Sequence, residues 1–118
     1  MKLINRSAFA ILPLQPFVDW ANRQTGAEFN QPMSLAEHRA EGTVYLVDEF
    51  QDEADIQQAL GQQYARVFEN ELAAWDEFGD NWPQNRTLEM FHAWFEVQPQ
   101  VMVVDLLSAP LMTASLEE

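Results

Sequence analysis

Apolar side chains between Asp52 and Phe78 recur at steps of three, four and seven residues, the spacing of one face of a helix. The positions are Ile56, Leu60, Tyr64, Val67, Phe68, Leu72, Trp75 and Phe78. Asp52 is suited to cap the first turn, and Gly79 is suited to end the helix. The pattern therefore predicts a long helix over residues 52–78, against which the other elements pack.

Three other stretches are rich in strand-forming residues and predict strands near residues 7–12, 43–47 and 101–107. The last of them, VMVVDLL, is almost continuously apolar, which is typical of a central strand covered on both faces. Shorter helices are predicted between the strands, including one from Leu88 to about Val97. This order of elements predicts an α/β fold in which a single-layer, three-stranded sheet packs against the long helix and the shorter helices.

The composition suits one globular domain, because 118 residues with 47% hydrophobic content can bury a core. We find no internal repeat and no linker, so residues 1–118 are predicted to form a single domain, with a partly flexible tail from about residue 110. Cysteine is absent, which excludes disulfides and thiol chemistry. No apolar run approaches the roughly 20 residues of a membrane span. The expected location is the cytoplasm.

Charge is distributed unevenly along the chain, whose net charge is −13. Residues 48–80 hold ten acidic side chains against Arg66 alone. Such a field disfavours direct binding to nucleic-acid phosphates or to anionic membranes, and it attracts basic partners or cations. Solubility is the simpler reason for an acidic surface.

Two carboxylates occupy positions where the pattern predicts apolar side chains. Glu71 lies within the apolar stripe of the long helix, where it needs a partner such as Arg86, Arg6 or His92. Asp105 interrupts the last predicted strand near its carboxyl end, where open α/β sheets bind ligands. If Glu71 and Asp105 converge, an acid–base or cation site becomes possible. Structural roles, as an ion pair and as a turn cap, are the alternatives.

The end of the long helix carries a second group of candidate residues. Asp76, Glu77 and Asp80 crowd the C-terminal end, where the helix dipole disfavours negative charge. Trp82 and Arg86 follow in the loop GDNWPQNR. A basic partner or a bound cation would explain this arrangement, and so would neutralisation by Arg86 within a rigid connector. The five residues form the candidate binding site.

Motifs for cofactors and metals are absent from the sequence. There is no Gly-rich phosphate loop and no nucleophile elbow, and we expect no cofactor. Glu89, His92 and Glu96 have the spacing of half a di-iron site, but the other half is missing, so a solvated helix face is the favoured interpretation.

Three stretches, ENELAAW, WPQNRTLEMFHAWF and MVVDL, resemble a small family of uncharacterised bacterial proteins. The resemblance covers most of the chain and implies a soluble bacterial protein with a shared fold. It implies no catalytic residue.

The sequence thus favours a non-enzymatic interaction protein that binds a basic or amphipathic partner through residues 76–86 and the acidic helix face. An adaptor, an inhibitor of a nucleic-acid-binding protein and a homodimer that buries an aromatic patch are three versions of this hypothesis. The alternative is a small-molecule or cation-binding enzyme that uses Glu71 and Asp105, with His92 alongside. The enzyme hypothesis requires that the two carboxylates line one pocket.

Overall fold

The computed structural model describes residues 1–24 and 32–116, which contain nine helices and strands. The strands are β1 (Lys2–Ile4), β2 (Ser7–Pro13), β3 (Thr43–Val47), β4 (Phe95–Gln100) and β5 (Val103–Asp105). The helices are α1 (Gln15–Gln24), α2 (Leu35–Ala40), α3 (Glu53–Ala73) and α4 (Leu88–Trp94). Two small antiparallel sheets result, one with the order β3-β2-β4 and the other formed by β1 and β5. The protein therefore has a mixed α/β fold.

The predicted central strand 101–107 is wrong. The centre of the three-stranded sheet is β2, and its third strand is β4, whose first half the sequence placed in a helix. Helix α4 ends at Trp94 because Phe95 adopts extended backbone angles (φ −138°, ψ 141°) and pairs with Pro13 of β2. Residues 101–107 contribute only the short strand β5, most of whose neighbours are exposed.

The long helix is shorter than predicted. It begins as expected at Asp52, whose side chain accepts a hydrogen bond from the backbone N–H of Asp55 at 3.0 Å. It ends at Ala73, where the backbone N–H groups of Trp75 and Asp76 both donate to the carbonyl of Leu72. This tight turn directs Trp75 back onto the core and leaves Phe78 85% exposed.

The core lies on one face of the three-stranded sheet. Phe9 and Ile11 of β2 are almost fully buried there, together with Phe95 of β4. Phe50 joins this cluster from the segment before α3. Helices supply the rest, with Phe17, Trp20 and Ala21 from α1, Leu60, Val67, Phe68 and Leu72 from α3, and Phe91 from α4. Phe68, Phe91 and Phe95 contact one another with ring centroids 5.0–5.6 Å apart. Such aromatic pairs add to the free energy gained from burying their area.

The two sheets are joined by a bulge. The chain passes from β1 to β2 through Asn5 and Arg6, and from β4 to β5 through Val101 and Met102. Between the pairs Ile4↔Val103 and Ala8↔Gln100, the first strand holds one residue more than the second. One extra residue on one strand is the definition of a β-bulge, which bends and twists the ribbon. The ribbon formed by β1 and β5 thereby turns away from the main sheet.

Candidate functional site

Glu71 lies on the inner side of α3, and its partner is not one of those expected. The phenol of Tyr45, on β3, donates a hydrogen bond to the Glu71 carboxyl group, and Thr43 also hydrogen-bonds to it. The side-chain amide of Asn70 donates to the Tyr45 hydroxyl at 2.9 Å. Periodicity correctly indicated a carboxyl at the sheet side of the helix. The identity of its partner, a neutral phenol, could not be predicted because it depends on which strand faces the helix.

The environment of this pair favours the neutral forms of both groups. Burial raises the pKa of the Glu71 carboxyl, and the hydrogen bonds from Tyr45 and Thr43 oppose that shift only in part. Burial, followed by the nearby charge of Glu71, raises the pKa of the Tyr45 phenol. Active sites often use buried carboxyl groups whose pKa is raised in this way.

Asp105 occupies a different site with different partners. It lies on β5 opposite Lys2, whose ammonium group is 3.5 Å from Asp105 Oδ2, and its Oδ1 accepts from the backbone N–H of Leu107 at 2.9 Å. Both sheets are antiparallel, so the expectation that parallel strand ends build a site at Asp105 was wrong. Among the described residues, no hydrogen bond or ion pair joins Asp105 to Glu71.

Within the predicted binding site, the side chain of Asp76 has a structural role. Its Oδ2 accepts from the backbone N–H of Asn81 at 2.6 Å, and its carbonyl accepts from the indole N–H of Trp82 at 2.8 Å. The Trp82 ring packs over Gly79, which adopts a positive φ of 78°. These contacts fold the residues after α3 into a tight loop. The Asp76 carboxylate therefore caps backbone in that loop, which explains its position beyond the helix end.

Arg86 also has partners within the chain. Its guanidinium pairs with Glu69 of α3 at 2.7 Å, donates to the Pro83 carbonyl at 2.9 Å and stacks 5.5 Å above the Trp82 ring. Arg86 thus fastens the loop to α3 through Glu69 and leaves the Asp76 carboxylate to Asn81. Glu77 and Asp80 are exposed, so they remain available to a partner.

The two histidines have opposite environments. His92 is exposed near the end of α4, and the predicted polar face of this helix ends there because Glu96 lies on β4 and pairs with Arg39 at 2.5 Å. His38 on α2 is only 4% exposed, and its ring lies 5.1 Å from that of Trp75. Burial lowers the pKa of His38, although the carboxylates of Glu41 and Glu37 oppose the shift.

A groove of about 1280 Å³ runs between β3 and one face of α3. Tyr45 and Val47 of β3 form one side, and polar residues of α3, such as Gln58 and Gln62, form the other. Four acidic residues also line it, namely Asp48, Glu49, Asp55 and Glu69. The lining also includes Arg6, Arg66, Leu46 and the segment Ala114–Leu116. The sequence did not predict this groove, because it depends on α3 lying alongside β3.

The outer edge of β3 borders this groove and carries unpaired backbone groups. Within the described chain, β3 pairs with β2 alone. Pro99 has no N–H, and the N–H of Leu14 donates to the Trp94 carbonyl at 2.8 Å, so the even-numbered residues of β2 bond to β4. The odd-numbered residues of β2 therefore bond to β3. The N–H and C=O groups of Val44 and Leu46 consequently point away from the sheet.

Ser7 is a residue that the sequence reasoning missed. Its side chain is fully buried at the bulge, where the hydroxyl donates to the Val101 carbonyl at 2.8 Å and accepts from the backbone N–H of Phe50 at 2.9 Å. A serine at the first position of a strand has no sequence signal that separates such a buried role from a solvated one.

No group of three or more metal-binding side chains is present in the described ranges 1–24 and 32–116. Within the same ranges, no helix is both long and apolar enough to cross a membrane. Comparison of the chain with protein-family models, with curated proteins and with solved structures found no match. The function is therefore argued from the geometry alone.

Proposed function

We propose that the protein is a non-enzymatic interaction module that binds an extended, basic segment of a partner protein along the edge of β3. The observation that carries this proposal is an unpaired strand edge bordering an acidic groove. A peptide that adds a strand to an open sheet edge gains affinity from backbone hydrogen bonds and specificity from alternate side chains.

The backbone of β3 offers the hydrogen bonds for such an added strand. Val44 and Leu46 direct their N–H and C=O groups to the open edge, and their side chains are 61% and 51% exposed on the outer face of the sheet. Exposed edges are aggregation hazards that proteins usually cover, charge or interrupt. The apolar side chains at this edge support a partner that covers it.

The groove selects the charge of the partner. An added strand would direct every second side chain into the groove, toward Asp48, Glu49, Asp55 and Glu69, and the others over Val44 and Leu46. Basic side chains are complementary to the first surface and apolar side chains to the second. We therefore propose a segment in which basic and apolar residues alternate, which refines the basic or amphipathic partner expected from the sequence.

A second candidate function is an enzyme or small-molecule binder that uses Glu71 without Asp105. It is favoured by one observation, the contact between the Glu71 carboxyl, with its raised pKa, and Tyr45, which lines the groove. Glu71→Gln separates the two functions. This substitution would abolish an acid–base activity, whereas peptide binding along β3 would persist.

The test begins with selection from a phage-displayed library of random 12-residue peptides on the purified protein. We expect the selected peptides to be rich in Lys and Arg at alternate positions. Their affinity, measured by fluorescence anisotropy, would fall about tenfold or more in Leu46→Pro, which removes an edge N–H but no hydrogen bond to β2. Leu46→Ala, which keeps the N–H, would show a smaller loss.

Charge is tested with two matched double variants. Asp48→Asn with Glu49→Gln removes two charges from the groove, and Glu41→Gln with Glu89→Gln removes two exposed charges outside its lining. Weaker peptide binding in the first pair alone would support the proposal. Selected peptides without basic residues, or equal affinities for Leu46→Pro and the wild type, would contradict it.

A further inference from the structure

The ribbon of β1 and β5 presents an apolar face to solvent. Leu3 pairs with Val104 across the ribbon, and Met1, Met102 and Leu106 continue the same alternation on either side. All five side chains are exposed, by 86% at Met1, 65% at Leu3, 68% at Met102, 42% at Val104 and 74% at Leu106. We call these five residues the ribbon face. Alternating apolar positions normally face a core, whereas the ribbon face is uncovered by the described chain.

The contacts on the opposite side of the ribbon explain why the ribbon face is directed toward solvent. Lys2 and Asp105 pair there, and the Lys2 ammonium also donates to the carbonyls of Ser108 and Ala109 at 3.3 and 2.7 Å. These contacts hold the charged side of the ribbon against the chain that follows β5. A two-stranded ribbon is marginally stable by itself, so burial of its apolar face would stabilise it.

We infer that the ribbon face is the interface of a homodimer, in which two copies pack their ribbons face to face about a twofold axis. The exposed area of the ribbon face is large enough for such a homodimer interface. The five exposed fractions correspond to roughly 600 Å² per copy, so a pair would bury about 1,200 Å², the lower end of the range for specific stable interfaces. Leu107 and Met112, 69% and 91% exposed, lie nearby in sequence and would extend this area.

Charge also favours a second copy of the chain over a basic partner protein or an anionic lipid surface as the occupant of the ribbon face. Residues 1–6 and 101–116 carry Lys2, Arg6 and Asp105, a formal charge of +1, so the other residues carry −14 of the total of −13. A basic partner gains no attraction at an uncharged face, and an anionic lipid surface is repelled by the acidic remainder. Two copies meeting through their ribbons bring together a region that is not acidic.

The first test is sedimentation velocity on the full chain from about 5 to 500 µM, a range that reveals dimers of micromolar affinity. We expect a concentration-dependent dimer in the wild type. A double variant with Leu3→Glu and Val104→Glu would be monomeric, since unpaired charges buried in the interface weaken it by at least roughly 100-fold. The control is Val44→Glu with Leu46→Glu, which adds two charges to an exposed apolar surface outside the ribbon and would leave the dimer intact.

A second measurement stays informative if the charged ribbon variant misfolds. The chain has no cysteine, so Leu3→Cys carries a single spin label. Labels on two packed ribbons would lie within roughly 30 Å of each other, because stacked sheets are about 10 Å apart. A label at Gln57→Cys, exposed on α3, serves as the control for distant sites. A wild type that stays monomeric, a dimer that survives both ribbon charges, or distant Leu3 labels would overturn the inference.

Discussion

At the scale of single residues, one hydroxyl group joins three stretches of chain. Ser7 donates to Val101 beside the bulge and accepts from the N–H of Phe50, just before α3. We expect Ser7→Ala to lower the free energy of unfolding by about 1–3 kcal/mol, since a buried backbone N–H and a part-buried carbonyl lose their partner. Urea unfolding measures this. Ser108→Ala, at an exposed position, is the control, and a loss as small as that of the control would contradict the structural role.

Glu71 gives a pH dependence opposite to that of an ordinary carboxylate. Burial raises its pKa in the folded state, so its contribution to stability is present at low pH and is lost as the pH rises through that pKa. Glu71→Gln keeps an acceptor for Tyr45 and cannot ionise. We therefore expect the stability of the variant, relative to the wild type, to increase between pH 4 and pH 8 in urea unfolding, with Glu77→Gln as an exposed control. A difference that stays constant with pH would mean that Glu71 ionises freely.

His38 gives a second pH dependence with the opposite sign. Burial lowers its pKa, so the neutral ring contributes stability above its ordinary pKa of 6.5, and that contribution is lost as the pH falls through the lowered value. We expect His38→Leu to reduce the loss of stability of the folded protein between pH 7 and pH 5. His92→Gln, at the other and exposed histidine, would leave that loss unchanged. Equal slopes for the wild type and His38→Leu would refute the assignment.

The sequence could predict which residues conflict with their surroundings, but not how each conflict is resolved. Helical periodicity identified Glu71 as a carboxyl on the buried side, since that depends only on spacing along one helix. Its partner on β3 and the use of Asp76 as a loop cap depend on contacts between elements. The burial of His38 likewise depends on contacts between elements, because α2 packs near α1 and Trp75.

At the scale of elements, two glycines make a matched pair. A methyl group at Gly61, within α3, would contact nothing within 4 Å, whereas at Gly42, just before β3, it would lie 2.8 Å from Leu12 and 3.1 Å from the Ile11 carbonyl. We expect Gly61→Ala to raise the free energy of unfolding by about 0.5–1 kcal/mol, through helix propensity. Gly42→Ala would lower it. Thermal unfolding of the two variants checks both signs, and a shift in the same direction would contradict the packing at Gly42.

The capping signals were predicted correctly because they act locally. Asp52 caps α3 as expected, and a capping box of Ser34 and Glu37 begins α2 by the same local chemistry, with Ser34 Oγ accepting from the Glu37 N–H at 3.1 Å. The strand β4 could not be predicted in the same way. The helical spacing of Phe91, Trp94 and Phe95 continues past the helix end, because Phe95 is buried equally well as the first residue of a strand.

At the scale of the whole molecule, an apolar run was misleading. VMVVDLL has the composition of a central strand, but β5 forms an outlying ribbon with β1, and several of its apolar side chains face solvent. Composition predicts which residues need burial. It does not predict whether the same chain provides that burial, and in this protein the described chain does not.

The two proposed interfaces differ in electrostatics, and this difference provides a joint test. Two copies of net charge −13 repel each other, so salt, which screens this repulsion, would strengthen a dimer that forms through the ribbon face. The groove attracts a basic segment, so salt would weaken peptide binding. We expect the two dissociation constants to move in opposite directions between about 0.05 and 0.5 M NaCl.

The measurement uses sedimentation for the dimer and anisotropy for the peptide, on the same preparations. The charged ribbon variant would lose the first salt dependence and keep the second, and the charge-neutralised groove variant would do the reverse, since the interfaces share no residue. If salt moves both constants in one direction, at least one surface is not governed by the charge distribution described. If one variant removes both dependences, the two binding equilibria are coupled, either through a shared surface or through a conformational change that both sites bias.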